Sequence, residues 1–172
     1  ILIFFLQESL NWTTKASSGT LVVVGIIAII VQGGLIGPLV KKFGEMRLTL
    51  IGSGFILVAC SLLITAPKEN ATINIYSAVS FLAIGAGLIT PTLRALISKK
   101  LDVNKQGSIL SNLQGLQSLG GVLGIAMAGR VYDSFGPKSP FIAGSIILIF
   151  MIYLIAEGKN NKSIYDQKTN LF

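Results

Sequence analysis

The chain has 172 residues, of which 52% are hydrophobic and only 12% charged, with a mean hydropathy of +0.74. A soluble domain carries about 25% charged residues, and a core of this size cannot bury so much apolar surface, so the composition calls for lipid as solvent. The net charge of +7 gives no sign of nucleic-acid binding, because the bases sit in gaps between apolar runs and form no patch or stripe.

The one cysteine, Cys60, stands inside an apolar run, and histidine is absent. A lone thiol builds neither a disulfide framework nor a cysteine-based metal site. Without histidine the commonest metal ligand and general base are missing. No metal site and no cofactor site is expected.

In chain order, Ile1–Leu6 is apolar but far shorter than the roughly 20 residues of a span, so it reads as the stub of a helix, with the chain beginning inside it. Five uncharged stretches follow: Ala16–Val40, Leu48–Pro67, Asn70–Leu93, Gln106–Gly129 and Ser139–Ala156. At about 1.5 Å per residue each is long enough for the ~30 Å hydrocarbon layer. None alternates as a barrel strand does, and helices satisfy their own backbone in lipid. The expected fold is therefore an all-α integral membrane bundle within 1–156. It has the partial helix at about 1–6 and five spans near 18–40, 48–66, 72–96, 106–130 and 139–156. The polar segment 157–172 is expected to be a disordered cytoplasmic tail.

Lys41, Lys42, Arg47, Arg94, Lys99, Lys100, Lys105, Lys159, Lys162 and Lys168 fall on one side of this topology. Only Lys15, Lys68, Arg130 and Lys138 fall on the other. The positive-inside bias makes the richer side cytoplasmic, the C-terminus included.

An internal echo links two of the connections. Gly37 to Gly44 and Gly129 to Gly136 share the frame G-x5-F-G after a span, and each frame is expected to turn one helix into the next. In the first, Gly37 and Gly44 are read as tight-turn residues, with Lys41, Lys42 and Arg47 at the anionic leaflet.

At this loop the sequence resembles the major facilitator superfamily, whose loop between the second and third helices of each half reads G-x-L-x-D-[RK]-x-G-[RK]-[RK]. Gly37, Leu39, Lys42 and Gly44 match, and Arg47 lies close to the terminal basic pair. Lys41 stands where the pattern has Asp, so the acid that helps lock the gate in that family is missing. The resemblance continues in Gly85-x-Gly87-x3-Pro91-x-Leu93-x-Ala95-Leu96-x-Ser98 and in Lys105-Gln106-Gly107-x5-Leu113-x2-Leu116. These look like the tenth and eleventh helices of tetracycline-efflux-like members. Ile125 replaces the Pro that often follows the Gly124 position.

The resemblance implies the C-terminal half of a twelve-helix carrier in a plasma or inner membrane. Its partners would be the lipid bilayer, an N-terminal six-helix half and a small amphipathic molecule, exported by proton antiport through alternating access. A non-transporting membrane scaffold of the same fold and an uptake permease are the alternatives. An enzyme needs a nucleophile with a base, or metal ligands, and neither is present.

Candidate site residues follow from polarity within the spans. At 100° per residue, Gln106, Gln114, Gln117, Ser111 and Ser118 share one side of their helix with Gly107, Gly121 and Gly124. Ile109, Leu116, Leu119, Leu123 and Met127 share the other. Such a polar face looks toward a cavity or a partner helix, and Gln114, Gln117 and Ser118 are the expected cavity lining. Gln32 is the one strongly polar side chain in Leu21–Val40, suited to an inter-helix hydrogen bond or to substrate contact. Pro91 is expected to kink its helix. Arg94, one turn further on, is expected to snorkel to the headgroups, with the inner vestibule as the other possibility. None of the long stretches holds Asp or Glu, and Glu8 at the end of the stub reads as a solvated loop acid.

Overall fold

A computed structural model describes residues 2–66, 71–99 and 103–169. Among these the chain forms seven α-helices and one π-helical turn: α1 (Leu2–Leu10), α2 (Thr14–Ile30), the π turn (Val31–Leu35), α3 (Ile36–Phe43), α4 (Glu45–Thr65), α5 (Ala71–Ser98), α6 (Val103–Phe135) and α7 (Ser139–Thr169).

The helix ends follow local chemistry. Asn11 takes a positive φ of 52° after α1, a conformation that its short polar side chain tolerates. Thr13 then caps α2, its hydroxyl accepting from the Ala16 N–H at 3.3 Å. The two glycines that close the G-x5-F-G frames behave alike. Gly44 (φ 76°) and Gly136 (φ 90°) each leave the helix and donate their N–H to the carbonyl four residues back, Val40 and Tyr132, at 2.9 Å. The sequence echo is thus a repeated helix stop. Gly37 does not turn the chain, contrary to expectation: it lies inside α3.

Thr14–Phe43 runs as 30 residues of helix that a regular α-helix would not predict, because the π turn interrupts it. Ile36 donates its N–H to Val31, five residues back. Gly33 and Gly34 occupy this turn, and a Cβ on either would meet nothing within 4 Å. Pro38, with no N–H to give, follows just beyond.

Among the described residues three helices are long and apolar enough to cross a membrane, Thr14–Phe43, Glu45–Thr65 and Thr72–Ser98, and Ser139–Ile155 is a shorter apolar one. The 33-residue α6 is longer than a bilayer needs, but its Gln, Ser and Gly face keeps it from being uniformly apolar. Most helices overrun the expected spans, though α4 stops at Thr65 and α7 starts at Ser139, where its span was expected to begin. α7 continues to Thr169, where a disordered tail was expected, because an existing helix propagates without paying nucleation again. Residues 170–172 lie outside the described residues.

α5 is the centre of the bundle, against α4, α2 and α6; α4 also packs on α7 and α3, and α6 on α7. With no hydrophobic drive between helices in lipid, close approach needs small residues. Gly52 and Gly85 supply it between α4 and α5, where a Cβ on Gly85 would stand 2.6 Å from the Gly52 carbonyl oxygen. Between α2 and α5, Gly19 faces the Tyr76 hydroxyl and Gly87 faces Val31. Two apolar clusters anchor the ends: Phe5, Leu6, Leu63, Ile75, Ala78 and Val79 at one, and Val31, Leu48 and Leu88 at the other. Phe5 also meets Phe141 of α7 edge to face, centroids 5.2 Å apart.

Candidate functional site

Three polar constellations interrupt this apolar bundle. The first lies between α5 and α6. Nη2 of Arg94 donates to Oε1 of Gln114 and, at 3.2 Å, to Oε1 of Gln117. Arg94, Ala95, Ser98, Leu110 and Gln114 line a cleft of about 290 Å³ there. Snorkelling of Arg94 is therefore corrected: its guanidinium turns to the polar face of α6, where two amide oxygens receive it. Ser118 stands on that face, but its hydroxyl donates to the Gln114 carbonyl at 3.0 Å, so its hydrogen is used within the helix.

Gln32 is placed differently, on the π turn. Its Cγ lies 3.9 Å from where a Cβ on Gly87 would stand, and Val31 is closer still at 3.1 Å. Glycine at 87 thus lets the π turn press on α5. Pro91 sits inside α5, where it cannot supply the amide bond back to Gly87. Thr92, the next residue, is fully buried and donates to Leu88 at 2.7 Å, while its oxygen meets that of Thr49 on α4 at 2.9 Å. Thr49 in turn bonds the Glu45 carbonyl, and Ser53 the Thr49 carbonyl.

The second constellation is the loop of Lys41, Lys42, Gly44 and Arg47. Lys41 and Lys42 occupy the last turn of α3, where cations favour the helix dipole, and Lys42 Nζ lies 5.5 Å from the centroid of the Phe43 ring. Arg47 is exposed in the first turn of α4 and helps line a cleft with Phe43, Gly44, Glu45, Met46 and Leu96. Sequence reasoning passed over Glu45. It forms an ion pair with Lys99 at the end of α5, tying this loop to the α5–α6 connection. An acid one residue past the helix-stopping glycine was the available signal.

The third is at the opposite end. The Tyr132 hydroxyl donates to Glu8, and the two share a cleft of about 330 Å³ with Phe4, Ile125, Gly129 and Asp133. Glu8, expected to be a solvated loop acid, is exposed as expected but lies in α1 and accepts a bond from α6. Among the described residues no group of His, Cys, Asp or Glu could hold a metal ion.

A bundle of long apolar helices, closely packed through glycines and carrying buried hydroxyls, defines a multi-pass membrane protein. The profile of the Major Facilitator Superfamily matches residues 1–125, so the chain belongs to that family of membrane transporters and is not an enzyme. It is 29% identical over 133 residues to the class H tetracycline resistance protein of Pasteurella multocida, covering 77% of this chain and 32% of that one. To multidrug resistance protein 2 of Bacillus subtilis it is 23% identical over 159 residues, 92% of this chain and 38% of the relative. Probable folate-biopterin transporter 7 of Arabidopsis thaliana is 25% identical over 138 residues, 76% and 31% of the two chains. The chain spans about a third of the length of these relatives. No solved structure matches it.

Proposed function

We propose that this chain is the C-terminal half of a twelve-helix carrier that exports a small amphipathic molecule by alternating access, coupled to proton entry. The observation that carries the reading is the exposed polar face of α6. Gln114 and Gln117 lie open in a helix whose other side, with Leu116, Leu119, Leu123 and Met127, is equally uncovered. A membrane helix with neither face covered is suited to stand between a central cavity and a facing bundle. The tetracycline and multidrug resistance proteins among the relatives support export.

In this reading Gln32, Gln114, Gln117 and Ser118 line this half of the cavity, and Pro91 lets α5 bend beside it. Lys41, Lys42, Gly44 and Arg47, with Gly37 in the helix that leads to them, form the cytoplasmic hinge region, with the C-terminus in the cytoplasm of a cell that carries the protein in its plasma or inner membrane. The Glu45–Lys99 pair takes over at this loop the locking that Lys41 cannot provide. The folate-biopterin transporter among the relatives keeps open a second reading, an uptake permease that uses the same cleft.

Dye accumulation tests the proposal. The gene product that carries this segment is expressed in cells lacking their own efflux pumps, and retention of the cation ethidium and of the anion fluorescein is followed with and without an uncoupler. Export predicts low retention that rises with the uncoupler and in the Gln114→Leu/Gln117→Leu double variant. Retention equal to that of empty cells sinks export, and dye uptake driven by expression supports the permease.

A further inference from the structure

The α5–α6 cleft also indicates what kind of molecule it receives. Gln106 Nε2 reaches the Ser98 carbonyl at 3.2 Å, which sets these two residues at one level across the α5–α6 pair. Arg94 lies four residues before Ser98, about 6 Å along its helix. Gln114 lies eight residues beyond Gln106, about 12 Å along its own helix. The guanidinium therefore points away from the nearer helix ends and toward the interior, the opposite of snorkelling. A cation held at depth needs a named partner.

Its partners here are neutral. Among the described residues the only ion pair is Lys99 with Glu45, and Arg94 contacts amide oxygens alone. A guanidinium only donates, so both amides must turn their oxygens to it and their NH2 groups outward. Both bonds come from Nη2, which leaves the Nε and Nη1 hydrogens free. The cleft thus presents a positive charge and an excess of donors, with both amide oxygens already turned to Arg94. Such a surface complements an anionic oxygen cluster, for which charge-assisted bonds are strongest.

We propose that Arg94, Gln114 and Gln117 form a recognition site for an anionic group, a carboxylate, sulfonate or phosphate, carried by the transported molecule or by a lipid headgroup. As a statement about cargo it rests on the cleft being part of the transport path.

The test uses the full chain, 15N-labelled at arginine, in an uncharged detergent, with naphthalene-2-sulfonate as probe and uncharged naphthalene-2-methanol as its counterpart. The Arg94 Nε–H signal, assigned by its loss in Arg94→Lys, is expected to shift saturably with the sulfonate. Arg94→Gln should weaken sulfonate binding about tenfold or more, the scale of a charge-assisted bond, and leave the alcohol unaffected. Arg94→Lys, which keeps the charge, should retain most of the affinity and so separates lost charge from lost folding. Repeating the titration in phosphatidylcholine nanodiscs with and without phosphatidylglycerol identifies the source. If phosphatidylglycerol alone shifts the signal and displaces the sulfonate, the anion is a headgroup; if it leaves sulfonate binding intact, the anion belongs to the cargo. No saturable shift with either anion, or equal sulfonate affinity in Arg94→Gln, overturns the proposal. Alcohol binding that persists in that case leaves the cleft as a cavity; failure of both probes removes the cavity reading too.

Discussion

Gly52 and Gly85 bring the backbones of α4 and α5 into direct contact: a Cβ on Gly85 would lie 2.6 Å from the Gly52 carbonyl oxygen and 2.6 Å from Cγ1 of Ile56. One of these obstacles is backbone and cannot swing aside. Gly85→Ala is therefore expected to destabilise the bundle by about 1–3 kcal/mol, as overpacking does. Gly120→Ala on the open α6, where a Cβ meets nothing within 4 Å, should instead be neutral or stabilising by up to about 1 kcal/mol. Unfolding by SDS titration in mixed micelles, followed by circular dichroism, separates the two, and equal midpoints would refute the close approach.

The two glycines of the first G-x5-F-G frame should differ in the same assay. Gly44 combines φ 76° with ψ 157°, a region open essentially to glycine alone, so Gly44→Ala is expected to cost about 1–3 kcal/mol. Asparagine should not rescue it, since its tolerance is for the left-handed helical region. Gly37 is helical, and a Cβ there has open space, so Gly37→Ala should raise stability by about 0.5–1 kcal/mol.

The hydroxyl contact between Thr49 and Thr92, 2.9 Å and buried, is the polar counterpart of the glycine contact. Each hydroxyl has one hydrogen, which goes either to a carbonyl of its own helix or across the contact, and either hydroxyl can be removed without orphaning the backbone. Thr49→Val and Thr92→Val in a double-mutant cycle are expected to show a coupling of about 0.6 kcal/mol, up to about 1.7. Zero coupling would mean that the two hydroxyls serve only their own helices.

At the hinge loop, the Glu45–Lys99 pair predicts a charge-swap result. Glu45→Lys and Lys99→Glu alone should each speed amide exchange in residues 44–47, and the double swap should restore it. Lys99 is exposed though Glu45 is largely covered, so salt reaches the pair and the difference should shrink at 1 M salt. A double swap that exchanges as fast as the singles would show that the loop is held by other contacts.

The helical class was legible because lipid imposes it: uncharged runs of span length admit no other backbone. The stop at Gly44 was legible too, since the loop pattern demands glycine where the chain must leave a helix. Gln114 and Gln117 could be placed on one face by angle alone. Their partner could not, because which side of α5 meets that face depends on how closely Gly52 and Gly85 draw α4 and α5 together. Arg94 was accordingly assigned to the headgroups, a choice that only the rotation of one helix against another decides. The π turn left a trace in Gly33-Gly34 and Pro38, but a periodicity argument assumes the regular spacing that such a turn breaks.

That turn has a consequence for how the first loop tolerates change in length. It holds one residue more than the α-helical path would, with Ile36 bonded five residues back. Deleting Gly33 or Gly34 would let Thr14–Phe43 close into an uninterrupted helix with little rotation of what lies beyond, whereas the same deletion in a regular α-helix would rotate it by about 100°. Lys41 and Lys42 would then keep close to their present azimuth. The turn acts as a length buffer ahead of the basic pair, absorbing the loss of one codon without re-aiming charges two turns away.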